Sequence, residues 1–215
     1  MSLLDAFTRE ELENRNGNVY GPVIGLVTNI KDPEKMARVK VKFPWLSDDE
    51  ESTWARLVTP MGGKDRGVAF LPEVNDEVLV MFDHGDVRRP YILGVLWNGE
   101  DKLPKEKEDD DKNNLRLFKS RSGHLLIFDD TDGSEKVDVI DKTGKNKITI
   151  NSNENKITIT SDGDIEFLAS NGKIVLNGNN IEIKSSAETK IESGSSMNVK
   201  AGSTMIIKGS TVNIN

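Results

Sequence analysis

The sequence predicts an all-β chain in two unlike parts. A small antiparallel barrel lies near the N-terminus, and an intertwined, trimeric triple-stranded β-helix is wound from three copies of the C-terminal part. Three observations carry this reading. All three Trp and both Tyr precede residue 100, and Phe167 is the last ring of any kind. Between residues 20 and 97, β-branched runs alternate with turn residues and show no helical period. From Ile148 onward, apolar residues recur as i, i+2 pairs about every eight residues.

The bulk properties narrow the function classes. A chain of 215 residues has room for one ordinary domain or two small ones. Its 36 acids against 29 Lys and Arg leave a net charge of −7, which argues against the clustered basic footprint of a nucleic-acid binder. There is no cysteine, hence no disulfide framework and no thiolate metal site. No apolar run approaches the ~20 residues a membrane helix needs. The opening stretch MSLLDAFTREELENRNG is acidic and lacks a basic n-region, so it is not read as a Sec signal.

The elements follow in order. Residues 1–18 form an N-terminal extension in which 3–14 can make a short helix, with Leu3, Leu4, Phe7 and Leu12 on one stripe. That helix is too short to be stable alone. Strands are expected at 22–30, 37–43, 53–59, 68–71, 77–82 and 91–97. The breaks carry turn chemistry: Asp32-Pro33, Pro44, Met61-Gly62-Gly63, Asn75-Asp76, His84-Gly85-Asp86 and Arg89-Pro90. Short strands at this density, with no helix between them, make a small barrel over 19–99. Residues 100–114 hold acids and lysines with almost nothing apolar, and read as a solvated linker. Strands at 115–118, 125–128 and 137–140 then lead into the repeat that occupies the rest of 115–215.

The repeat pairs are Ile148/Ile150, Ile157/Ile159, Ile165/Phe167, Ile174/Leu176, Ile181/Ile183, Thr189/Ile191, Met197/Val199, Met205/Ile207 and Val212/Ile214. Their first members span 148 to 212, which is 64 residues over eight intervals, a mean of eight. Gly and Asn punctuate the gaps. Each unit is a short strand with one apolar face. A single-chain solenoid needs two or three such sides per coil, roughly 20 residues or more, and eight residues supply one. Three chains, each giving one side per rung, close the core; the paired residues above are therefore expected to line a trimer axis. A narrow core explains why aliphatics and Met are accepted and rings are almost absent. A polar disordered tail would not repeat apolar placements at one spacing. A monomeric solenoid with three octads per turn is the other arrangement of the same pattern.

At this point two stretches resemble a known family. PEVNDEVLVMFDHGDVRRPYILGVLWNGED, residues 72–101, is similar to the OB-fold signature of the phage baseplate assembly protein V and VgrG spike families. KSRSGHLLIFDDTDGSEKVDVIDKTGKNKITI, residues 119–150, resembles the segment that opens their β-helical needle. With YGPVIGLVTNIKDPEKMARVKVKFPW, the likeness covers residues 19–215. It implies an OB-fold barrel, a homotrimeric central spike of a contractile injection system, and a needle driven through a membrane by sheath contraction. It further implies a separate hub protein at the barrel end, because only about 20 residues precede the barrel. Some family spikes hold iron at the apex through paired histidines, and the ending KGSTVNIN has none. The terminal residues Thr211, Val212, Asn213, Ile214 and Asn215 would instead offer open strands to a cap, which the resemblance makes a PAAR-repeat tip protein. Localisation is then cytoplasmic during assembly and on the particle afterwards.

No residue set suggests catalysis. His84 and His124 lack a sequence-evident nucleophile or second ligand. Asp129, Asp130 and Asp132 lack EF-hand spacing and its distal Glu, and read as a turn. Ser122 in SRSGH is no nucleophile elbow. No metal, cofactor or reaction is expected. The rival classes are a glycan-degrading trimeric fibre, which needs paired carboxylates in a groove, and an OB-fold carbohydrate or oligonucleotide-binding module with a trimerising tail.

Overall fold

The structure is a computed structural model describing residues 18–46, 50–108 and 111–214. The expected N-terminal helix falls outside the described residues. The chain divides into two compact units, Met1–Asp162 and Gly163–Asn215.

The first unit opens with a closed five-stranded barrel. Its strands are β1 (Val23–Asn29), β2 (Arg38–Lys42), β3 (Ala55–Leu57), β6 (Glu77–Phe82) and β7 (Pro90–Val95), in the order β1-β2-β3-β7-β6. All pairs are antiparallel except β3 with β7. Period-two alternation decides which side chains go inside. On β2, Val39 and Val41 are buried while Arg38, Lys40 and Lys42 point outward. On β6, Val78, Val80 and Phe82 are buried with Glu77, Leu79 and Met81 on the other face. Val27, Phe43, Ala55 and Ile92 complete the core. The rings of Phe43 and Phe82 pack 5.5 Å apart at a 59° tilt, an edge-to-face geometry that aromatic pairs favour. Gly25 makes room for them: a Cβ there would stand 3.3 Å from both the Phe43 ring and the Lys42 carbonyl oxygen.

The β1–β2 turn is organised by one carboxylate. Asp32 accepts backbone N–H groups from Glu34 and Met36, at 3.1 and 2.8 Å, and a two-pronged contact from the Arg38 guanidinium at 3.0 and 2.7 Å. This allows Lys35 and Ala37 to sit at positive φ, 55° and 56°, in a tight reversal. The Arg38 guanidinium and the turn amides hold the Asp32 carboxyl well below the usual carboxylate range despite an opposing desolvation.

One expected strand is absent. Residues 68–71 are not a strand; instead β4 (Gly62–Gly63) and β5 (Arg66–Gly67) form a two-residue ladder just before them. The Val68 amide still donates to the Met61 carbonyl, and Thr59 donates its hydroxyl to the Val68 carbonyl at 2.6 Å. Beyond that Pro72 removes a donor and restricts Leu71, so the apolar run at 68–71 does not extend a sheet.

The linker contains a single helical turn, Lys105–Glu108, entered from Pro104. Glu106 in it accepts two contacts from the Lys119 ammonium, at 2.8 and 2.9 Å, so part of the acidic run is anchored rather than freely solvated. After it comes a five-stranded antiparallel meander: β8 (Leu115–Lys119), β9 (Leu125–Asp129), β10 (Lys136–Ile140), β11 (Lys147–Asn151) and β12 (Lys156–Thr160). The strands are of equal length and in simple sequential order. Gly123, Gly133, Gly144 and Asn155 supply the left-handed backbone for its four turns, with φ between 50° and 99°. Among the described residues, Phe70 stacks on Phe118 at 5.8 Å and Arg121 pairs with Glu73 at 3.0 Å, both joining the meander to the barrel's β5–β6 segment.

The meander takes in the first two repeat pairs. Ile148 lies opposite Ile159 and Ile150 opposite Ile157 within one chain. From Gly163 the chain behaves differently. It runs extended and bends at 162–163, 170–172, 178–179, 186–187, 194–195, 202–203 and 210, an eight-residue rhythm. Among the described residues from 165 to 214, one backbone–backbone hydrogen bond is present, from the Gly172 amide to the Ala169 carbonyl. Serines close two of the bends: Ser185 and Ser193 donate to the carbonyls of Glu188 and Ser196, each at 2.8 Å.

Candidate assembly interface

Both faces of the meander carry apolar side chains. Register places Phe118, Leu126, Phe128, Val137, Val139, Ile148, Ile150, Ile157 and Ile159 on one face of all five strands. This row, apolar except for Arg116 opposite Phe128, is the more open one, and Val139 is 48% exposed. The opposite face combines Leu115, Leu117, Leu125, Ile127 and Ile140 with Asp129, Lys136, Asp138, Lys147 and Thr149, and it is the more shielded. Asp138 is only 3% exposed. A continuous apolar face left open to water marks a surface meant for contact.

Asp138 is the anchor of the polar face. Its Oδ1 accepts from the Thr149 hydroxyl at 2.7 Å and meets the Lys147 ammonium at 2.9 Å, while Lys136 stands 3.8 Å from Oδ2. Burial pushes its carboxyl up, but the Thr149 hydroxyl and the Lys147 and Lys136 charges outweigh that and hold it below the ordinary value. The network fixes the register of β10 against β11, and with it the alignment of the apolar face.

The second unit repeats the theme without a sheet. The first members Ile165, Ile174, Ile181, Met197, Met205 and Val212 are 46–56% exposed. Their partners Phe167, Leu176, Ile183, Ile191, Val199, Ile207 and Ile214 are 65–85% exposed. The outward positions between them carry charge: Glu182 pairs with Lys184 and Lys190 with Glu192, each at 2.6 Å. Extended segments with exposed apolar side chains and few backbone hydrogen bonds of their own offer edges to which strands can add. At the end of the chain, Val212 and Ile214 are exposed beside Thr211 and Asn213; Asn215 lies outside the described residues.

Sequence reasoning missed how far forward this surface begins. Phe118, Leu126/Phe128 and Val137/Val139 show the same i, i+2 spacing as the repeat, but longer turns separate them and hide the period.

The other candidates are placed as turns. His84 sits at φ 48° in the Asp83–Gly85 turn with its side chain almost fully exposed. His124 Nδ1 accepts from the Lys142 amide at 3.2 Å. Asp129 accepts from the Thr131 amide at 3.0 Å, and Asp130 pairs with Arg116. Ser122 belongs to the β8–β9 turn, where the Gly123 amide donates to the Ser120 carbonyl. Among the described residues no three His, Asp or Glu side chains converge as a metal site, and no helix is long and apolar enough to cross a membrane. On the outer barrel face, Arg38 and Lys40 flank Trp54, and their charges are met by Asp32 and Glu51.

Comparison with known proteins agrees with this architecture. Residues 23–97, from the first strand of the barrel to just past its last, match the family described as the type VI secretion system/phage-baseplate injector OB domain. The chain is 31% identical over 144 residues to the type VI secretion system spike protein VgrG5 of Pseudomonas aeruginosa, a match covering 61% of this chain and 18% of that protein. It is 30% identical over 130 residues to the spike protein VgrG3 of Vibrio cholerae, covering 55% of this chain and 13% of that one. Likeness to VgrG4b of P. aeruginosa is 28% over 156 residues, covering 69% of this chain and 18% of the relative. The chain thus matches less than a fifth of the length of these relatives, while the matched stretches are longer than the barrel alone. The barrel of this chain thus matches the injector OB domain of type VI secretion systems and phage baseplates, and stretches of 130 to 156 residues that include it are similar to VgrG spike proteins.

Proposed function

We propose that this chain is the central spike of a contractile injection system, acting as a homotrimer whose C-terminal parts wind into a triple-stranded β-helical needle. The observation that carries this reading is the second unit: an extended chain bending every eight residues, with apolar pairs open to water and almost no backbone hydrogen bond of its own. Three such chains satisfy one another, each supplying one side of every rung. The apolar meander face then closes against its copies, so that Ile148, Ile150, Ile157 and Ile159 join Ile165 and the later pairs in one continuous trimer core.

The mechanism is mechanical, with no reaction and no cofactor. Sheath contraction pushes the trimer along its axis, and a narrow end concentrates the force on a membrane. Hydrogen bonds shared among three chains prevent any one from peeling away. A separate hub protein meets the barrel end, and a PAAR-repeat tip protein caps the strands at Thr211 to Ile214. The protein is cytoplasmic during assembly and part of the particle afterwards.

The test is light scattering coupled to size-exclusion chromatography on the full chain. A mass three times 23.9 kDa is expected. A monomer at working concentration would remove the needle and the piercing role with it.

A further inference from the structure

Two layers of the proposed core differ chemically from the rest. The first members of the pairs are Ile165, Ile174 and Ile181, then Thr189, Met197 and Met205, then Val212, and each apolar first member is more shielded than its partner. Met197 and Met205 are thus consecutive occupants of the same position, one octad apart. In a three-chain needle, equivalent residues of the copies meet at one height around the shared axis. Each methionine layer would then bring three thioether sulfurs together, six in two adjacent layers.

Thioethers are neutral, polarisable ligands that select soft monovalent cations such as copper(I). The acids nearest in sequence sit at the outward parity, where Glu192 pairs with Lys190. Hard cations, which need clustered oxygens, would find none in these layers; the one polar neighbour on the axis, Thr189, is a hydroxyl. We propose that Met197 and Met205 of three copies form two stacked thioether triads that bind copper(I). The inference rests on the trimeric needle of the preceding section, because one copy supplies a single sulfur per layer.

Silver(I), which shares this ligand preference and needs no reductant, is the probe. The full chain is titrated with silver nitrate in chloride-free buffer and weighed intact by native mass spectrometry. The trimer should take up two ions more than the M197L/M205L trimer, and M197L or M205L alone should each remove one. Leucine is close to methionine in volume, so assembly should survive these changes. Equal uptake by parent and double variant overturns the proposal and leaves the methionines as packing only. A chain that is monomeric before silver is added overturns the needle itself, a separate readout. Should the double variant not assemble, X-ray absorption at the silver edge on the parent trimer decides. Sulfur-only coordination supports the triads, and oxygen or nitrogen ligands overturn them.

Discussion

Asp138 and Val139 are adjacent on β10 and trade the places their chemistry would assign: the carboxylate is 3% exposed and the valine 48%. The carboxylate is shielded because Thr149 and Lys147 reach it across the β10–β11 ladder. The valine lies on the more open face of the sheet, in a row that Phe70 covers only at Phe118 among the described residues of the first unit. Together they orient the meander, with its polar network turned inward on itself and its apolar face offered outward.

Removing one member of that network should be costly. Asp138→Ala leaves the Lys147 ammonium without its partner and Thr149 without its acceptor, at about 1–3 kcal/mol. A lowered thermal midpoint is expected, measured by circular dichroism on the full chain. Thr149→Val should cost less, because the charge pair with Lys147 persists.

Acid should weaken the first unit in a defined window. The Arg88 guanidinium lowers Asp86 to about 2. Asp141 is desolvated, yet Thr143 and Asn146 bring it down to about 2. Both carboxyls are depressed in the folded state, so their contribution is complete above the ordinary value near 4 and is lost as pH falls towards about 2. The thermal midpoint should be flat from neutral pH to about 5 and then fall steeply. D141N should remove the part of that fall due to the β10–β11 turn.

A charge placed on the trimer axis should prevent assembly. Ile174→Asp would gather three carboxylates in a dry core, where each unpaired ion costs several kcal/mol. Light scattering should report loss of the trimer, while the barrel keeps its near-ultraviolet signal from Trp45, Trp54 and Trp97. An intact trimer of parental thermal stability would remove Ile174 from the core.

Truncation should separate the two contact surfaces. A chain ending at Asp162 keeps the apolar meander face and should associate weakly, with mass rising with concentration. A chain cut before Lys119 loses that face too and should be monomeric. Persistent trimers after the shorter cut would place association in the barrel.

Gly25→Ala tests barrel packing alone. The added methyl must press on the Phe43 ring and the Lys42 carbonyl, both 3.3 Å away. A cost of about 1–3 kcal/mol is expected, with trimer mass unchanged.

The barrel was largely legible because its inward positions obey strict alternation, as at Val39/Val41 and Val78/Val80. The run at 68–71 misled because apolar composition says nothing about where strand partners lie, and Pro72 closes the segment. In the repeat, period alone could not tell Ile148/Ile150 and Ile157/Ile159 from later pairs. What separates them is chain reversal. Gly144 and Asn155 take left-handed backbone and fold those strands onto each other, and among the described residues no left-handed residue occurs beyond Asn155. Burial of Asp138 was not readable at all, since it depends on side chains from a neighbouring strand.

The eight-residue bends beyond Gly163, made without any left-handed residue, have a kinetic consequence. In the proposed needle this segment has few contacts of its own, so its ordering would need three copies to meet. On that proposal its rate would depend steeply on how many copies are made close together, and dilution should arrest it with the barrel and meander already folded. Copies held together by their meander faces would meet at a high effective concentration, and winding would then proceed from there towards Ile214. Synthesis of neighbouring copies from one messenger is the circumstance such a chain is suited to, and a half-wound needle is the intermediate to look for when it is diluted.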